Sequence, residues 1–99
     1  MDMEELMAQA KQLQDKVAAA QDKLAHTKIT GMARGGACVV EITGKYDLLS
    51  LKIRDDIAGR SADEIAEIVM SALRDAKSKA DKTIDNVMGD ATAGMPLPM

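Results

Sequence analysis

Two long helical patterns enclose about thirty residues of strand-like sequence, and this arrangement limits the possible folds more than any single motif. Met3, Leu6, Ala10, Leu13, Val17, Ala20 and Leu24 recur at gaps of three and four, with Gln, Lys, Asp and Glu between them. Such spacing lines small and aliphatic side chains along one helix stripe, close to a seven-residue repeat. A second stripe, Ile65, Ile68, Val69, Ala72, Leu73, Ala76, Ala80, Ile84 and Val87, predicts a helix from Ala62 to about Met88. Phe and Trp are absent and Tyr46 is the only aromatic residue, so the core must be built from Leu, Ile, Val, Ala and eight Met. A 99-residue chain with two such helices encloses little core of its own, and pairing with a second copy would supply more. The sequence therefore predicts a homodimer.

Helix one is expected from about Asp2 to Ala25, with Asp2, Glu4 and Glu5 at its positive end and Lys23 and His26 at the other. Its stripe has two equal readings: packing on the sheet of its own subunit, or a helix-helix seam across a dimer. Residues 26–30 read as a short strand, and Gly31 and Gly35-Gly36 as punctuation around a protruding, pliant loop carrying Arg34. That arginine is expected either to meet a partner's phosphate or to pair with Asp47 or another nearby acid and rest on the sheet.

Residues 37–43 alternate as a strand with Cys38, Val40 and Ile42 on one face. Gly44-Lys45 suits a tight turn. Residues 46–53 form the next strand, with Leu49, Leu51 and Ile53 on one face and Leu48, Ser50 and Lys52 on the other. Strands joined this tightly are antiparallel, with one face under the helices and the other largely wet. Ser61-Ala62-Asp63-Glu64 is a capping box for helix two, and Gly89 a candidate stop. The expectation is an α+β, α-β-β-β-α subunit in which residues 1–88 form one domain and 89–99 a tail. Met95, Leu97 and Met99 alternate with Pro96 and Pro98 there, as a frayed end or a protein-docking segment.

Catalysis is not expected. His26 is the only histidine, at a helix-to-strand junction, and no serine-histidine-acid set has a workable spacing. One His and one Cys do not make a structural zinc site, and Cys38 on an apolar strand face is expected buried and inert. The Gly31–Gly36 cluster leads into a strand without the lysine and hydroxyl of a phosphate loop. Neither a metal nor a cofactor is implied. No apolar run approaches the ~20 residues of a membrane span, and residues 1–10 are acidic, so a cytoplasmic location is expected.

Taken in order, the first helix, Ile29-Thr30-Gly31, the Gly-rich hairpin, residues 37–44, a strand ending at Ile53, a long helix and Gly94-Met95-Pro96-Leu97-Pro98 resemble the YbaB/EbfC family of bacterial nucleoid-associated proteins. The resemblance covers nearly the whole chain. Val39, Glu41 and Gly44 match the valine, charged residue and glycine of the family's second strand. Arg54 stands where the family commonly has an acid, and the Gly/Lys-rich opening often seen before helix one is missing. The resemblance implies helices flanking a three-stranded antiparallel sheet, a homodimer shaped like open tweezers, double-stranded DNA as partner, a place on the bacterial chromosome, and no catalysis.

The net charge of −3 would not by itself suggest DNA. Its distribution offers candidates: residues 27–60 are net basic, and helix two carries a further cluster. Lys28, Arg34, Lys45, Arg74, Lys77, Lys79 and Lys82 are the candidate phosphate contacts. Leu6, Leu13, Val17, Leu24, Val40, Leu49 and Leu51 are the candidate dimer contacts. The competing reading is a scaffold or adaptor that binds protein through its helices or tail, with those cations as ordinary solvated surface.

Overall fold

The computed structural model describes residues 2–92. Helix α1 spans Met3–Ala25, and strands β1 (Lys28–Ala33), β2 (Cys38–Thr43) and β3 (Leu48–Ile53) follow. Single 3-10 turns occupy Arg34–Gly36 and Asp55–Ile57, and helix α2 runs over Ala62–Thr92. The strands form one antiparallel sheet in the order β1-β2-β3.

The start of α1 is set as its sequence indicates: the Asp2 carboxylate accepts from the Glu5 N–H at 2.8 Å. Its end is closed locally. The Thr27 hydroxyl donates to the Lys23 carbonyl at 2.6 Å, and the His26 Nδ1 lies 2.8 Å from the Asp22 carbonyl, which makes Nδ1 the protonated nitrogen. The capping box of α2 is half formed. The Glu64 N–H donates to the Ser61 hydroxyl at 3.2 Å, but the Glu64 carboxylate takes the Arg60 guanidinium instead of returning to the cap.

The core lies between α2 and the first two strands. Ile29 and Ala33 of β1 and Cys38, Val40 and Ile42 of β2 share one face, and Ile68, Ala72, Ala76 and Ala80 press on it. The alanines bring helix and sheet unusually close. A Cβ on Gly31 would lie 2.4 Å from the Ala72 carbonyl oxygen and 2.5 Å from the Ala76 nitrogen. Gly44 is similarly confined under Leu24, and its N–H donates to the Leu24 carbonyl at 2.9 Å. Ile57, in the second 3-10 turn, completes the core.

Several expectations are corrected. Gly31, Met32 and Ala33 belong to β1, so the expected pliant loop shrinks to the turn at Arg34–Gly36. Arg34 and Gly35 in that turn adopt left-handed φ values of 54° and 65°. Strand β3 starts at Leu48, because Tyr46 turns with φ 66° before it. Gly89 does not stop α2, which continues through it to Thr92. The predicted tail boundary at 89 therefore falls inside a helix, and Met95, Leu97 and Met99 lie outside the described residues. Among the described residues α2 is the helix that covers the sheet. Helix α1 packs on α2 instead, by its buried Ala20 and Leu24, while residues 3–12 are exposed all round.

Candidate nucleic-acid interface

The seven candidate phosphate contacts separate by what already holds them. The Lys28 ammonium lies 3.4 Å from the Glu41 carboxylate across β1 and β2. Lys77 is 3.4 Å from Asp81, one helical turn away. Lys79 is 2.9 Å from Asp75 and donates to the Thr30 carbonyl at 3.2 Å. These three ammonium groups are engaged inside the subunit. Arg34, Lys45, Arg74 and Lys82 are exposed and, among the described residues, make no ion pair or side-chain hydrogen bond. The expected Arg34–Asp47 pair does not form, because the two residues sit at opposite ends of β2, about 20 Å apart along the strand.

The four unpaired cations do not gather in one pocket. Arg34 marks the β1-β2 end of the sheet, Lys45 the β2-β3 turn at the other end, and Arg74 and Lys82 the solvent side of α2. Lys11 and Lys16 on the free part of α1 and Lys52 on the outer face of the sheet are equally unpaired among the described residues. They were not among the candidate sites, and isolated exposed lysines carry no sequence signal that separates them from ordinary surface.

Acids beside α2 hold elements together rather than forming a catalytic set. The Asp75 carboxylate accepts from Lys79 and from the Met32 N–H at 2.9 Å, and both lower its pKa below the ordinary carboxylate value. The Tyr46 hydroxyl donates to Asp81, tying the β2-β3 turn to α2; this bond lowers the Asp81 pKa and raises that of the phenol. Arg54 holds Asp56 in a two-bond pair that lowers the carboxyl pKa. Burial pushes the Cys38 thiol up, away from the reactive thiolate. Among the described residues no group of three or more His, Cys, Asp or Glu is placed to hold a metal ion, and no helix is long and apolar enough to cross a membrane.

The depressed Asp75 pKa gives a pH prediction. A carboxyl whose folded pKa lies below its unfolded value stabilises the fold fully above about pH 4, and the contribution is lost as pH falls through the folded pKa. Asp75→Asn is expected to lower the melting temperature at pH 7 and to flatten the loss of stability as pH falls below about 4. Thermal melts across that range check both effects.

The seven candidate dimer contacts also separate. Val40 is fully buried and Leu24 nearly so, both within the subunit's own core, and neither is available to a second copy. Leu13 and Val17 are half-buried on α1, and Leu6 is exposed. Leu49 and Leu51 remain 52% and 40% exposed, since α2 lies over β1 and β2 and leaves β3 uncovered.

The sequence matches a known family over residues 1–95. The chain belongs to the YbaB/EbfC DNA-binding family. Among relatives, it is 38% identical to the nucleoid-associated protein DP1429 of Desulfotalea psychrophila, over 99% of this chain and 93% of that one. It is 39% identical to the nucleoid-associated protein GOX0603 of Gluconobacter oxydans, over 94% and 88%. Its fold is similar to the crystal structure of the uncharacterized protein HP0035 from Helicobacter pylori, with TM-score 0.80 and 22% identity, over 91% and 96% of the two chains. The resemblance drawn from the sequence therefore holds for family and fold. Membership of a nucleoid-associated, DNA-binding family also agrees with the expected partner class.

Proposed function

We propose that this protein binds double-stranded DNA as a homodimer on the bacterial nucleoid, mainly through backbone phosphates and without catalysis. Membership of the DNA-binding family carries the reading. The side-chain arrangement supports the phosphate mode. Arg34, Lys45, Arg74 and Lys82 are solvent-exposed cations spread over two turns of the sheet and helix α2, suited to point contacts along a duplex. Lys28, Lys77 and Lys79 are secondary, because DNA would have to displace a carboxylate from each. The homodimer is supported by the apolar side chains left uncovered on β3 and on the free part of α1.

A mobility-shift assay with unrelated duplexes of equal length tests the proposal. Binding is expected at 50 mM salt with little sequence preference, and a large loss of affinity at 200 mM, of order 10³-fold or more for about six or more phosphate contacts. No complex at 50 mM defeats the reading. A strong preference for one duplex defeats the backbone mode.

A further inference from the structure

Helix α1 is about 34 Å long, and the molecule measures 68 × 21 × 17 Å, so α1 lies lengthwise. Its last turns pack on α2, where Gln21 and Leu24 line one groove with Ile84 and Met88. Had α1 run from there toward Ala62, its beginning would lie along α2 or the sheet. Instead residues 3–12 are exposed all round, so they project past the C-terminal end of α2, and the two helices are antiparallel. The projecting arm carries Met3, Leu6, Met7 and Ala10 on one stripe, the first three 73%, 47% and 67% exposed. A helix end with no packed face frays readily, because most helical stability in proteins comes from packing.

The end of α2 fixes what can reach that stripe. With Gln21 beside Met88, one further turn along each helix sets Val17 beside Thr92, the last residue of α2. Residues 93–99 continue from that point, outside the described residues, and fully extended they span at most about 25 Å. From Val17 to Met3 the helix rises about 21 Å. Pro96 and Pro98 bar a helix there, and Met95 and Leu97, each before a proline, are biased to extended backbone. An extended segment turns residues 95, 97 and 99 to one side, about 6.6 Å apart. Counted from Thr92, Met95, Leu97 and Met99 fall level with Ala10, Leu6 and Met3.

We infer that residues 93–99 dock along the projecting arm of their own chain, with Met95 against Ala10, Leu97 against Leu6 and Met7, and Met99 against Met3. This segment is the occupant because it starts beside the stripe, has the stripe's length, and spaces its apolar side chains much as the helix does, where neighbours three and four apart rise about 4.5–6 Å. The clasp stiffens an arm that carries Lys11 and Lys16, both unpaired among the described residues. Of the apolar surface that favours a homodimer it takes the α1 part and leaves β3, so clasp and homodimer fail separately. It is also independent of DNA.

Disulfide trapping and hydrogen exchange on the full-length protein test it. In the Leu6→Cys, Leu97→Cys double variant, mild oxidation is expected to close a disulfide within one chain, read as an intact single-chain mass that has lost two hydrogens. The Ala8→Cys, Leu97→Cys variant, with Ala8 on the far side of the arm, should stay open, as should native protein, whose only cysteine is the buried Cys38. Leu97→Asp should speed amide exchange across residues 3–12 by about tenfold and leave residues 65–80 unchanged. Equal trapping through Ala8→Cys, or unchanged exchange in Leu97→Asp, overturns the clasp. A disulfide between two chains gives the stripe to a second copy and also overturns it. Single-chain trapping in a protein that light scattering finds monomeric upholds the clasp and defeats the homodimer.

Discussion

Gly31→Ala is expected to lower the melting temperature by more than 10 °C. The added methyl would sit 2.4 Å from the Ala72 carbonyl oxygen, 2.5 Å from the Ala76 nitrogen and 2.6 Å from the Ala76 Cβ. Two of these are backbone atoms of α2 and cannot rotate away. Helix α2 must lift from β1, opening contacts around Ile29, Val40 and Ile68 as well. Overpacking a close-packed site costs about 1–3 kcal/mol and occasionally more, and this site belongs at the upper end. At about 4–8 °C per kcal/mol for a domain this small, a cost of about 3 kcal/mol shifts the midpoint by roughly 12–24 °C. Gly59→Ala is the matched control: no atom lies within 4 Å of its Cβ position, and the change should stay within about 0.5 kcal/mol. Equal melting temperatures for Gly31→Ala and native protein would mean that helix and sheet are not in contact there.

Replacing Arg34, Lys45, Arg74 and Lys82 together with Ala is expected to abolish measurable DNA binding at 200 mM salt while leaving the fold intact. All four are exposed and without ion pairs among the described residues, so each substitution should change stability by no more than about 0.5 kcal/mol. In a dimer the set is doubled, and if each cation meets a phosphate the native slope of log affinity against log salt approaches about −7. The variant's slope should fall toward zero. Single replacements should weaken binding about equally on unrelated duplexes, as phosphate contacts do. Lys28, Lys77 and Lys79 changed together to Ala are the contrast, with a smaller effect on affinity and a larger one on stability, since all three are engaged within the subunit. A variant lacking Arg34, Lys45, Arg74 and Lys82 that keeps native affinity and salt slope would move the DNA surface elsewhere, with Lys11, Lys16 and Lys52 the next cations to change.

Periodicity alone determined which stretches are helix and which are strand, because a stripe every three or four residues and a two-residue alternation are local properties of the chain. It placed α1 nearly to the residue and set Ile68, Ala72, Ala76 and Ala80 on the buried face of α2. The order of elements, with the strand and tail sequences, was also enough for the family. The role of Gly31 was not legible: a glycine followed by Met-Ala-Arg-Gly-Gly reads as punctuation, and only the position of α2 above β1 makes it a packing requirement. Gly89 misled for the opposite reason, since its freedom to end a helix is not an obligation to do so. Which cations are free was likewise a tertiary matter. Lys28 and Lys79 look no different from Lys45 and Lys82 in sequence, and their partners Glu41 and Thr30 are set by strand register and helix placement. The same holds for the apolar face of β3. Alternation named Val40 and Leu51 as equals, and the path of α2 over β1 and β2 buried one and left the other facing solvent.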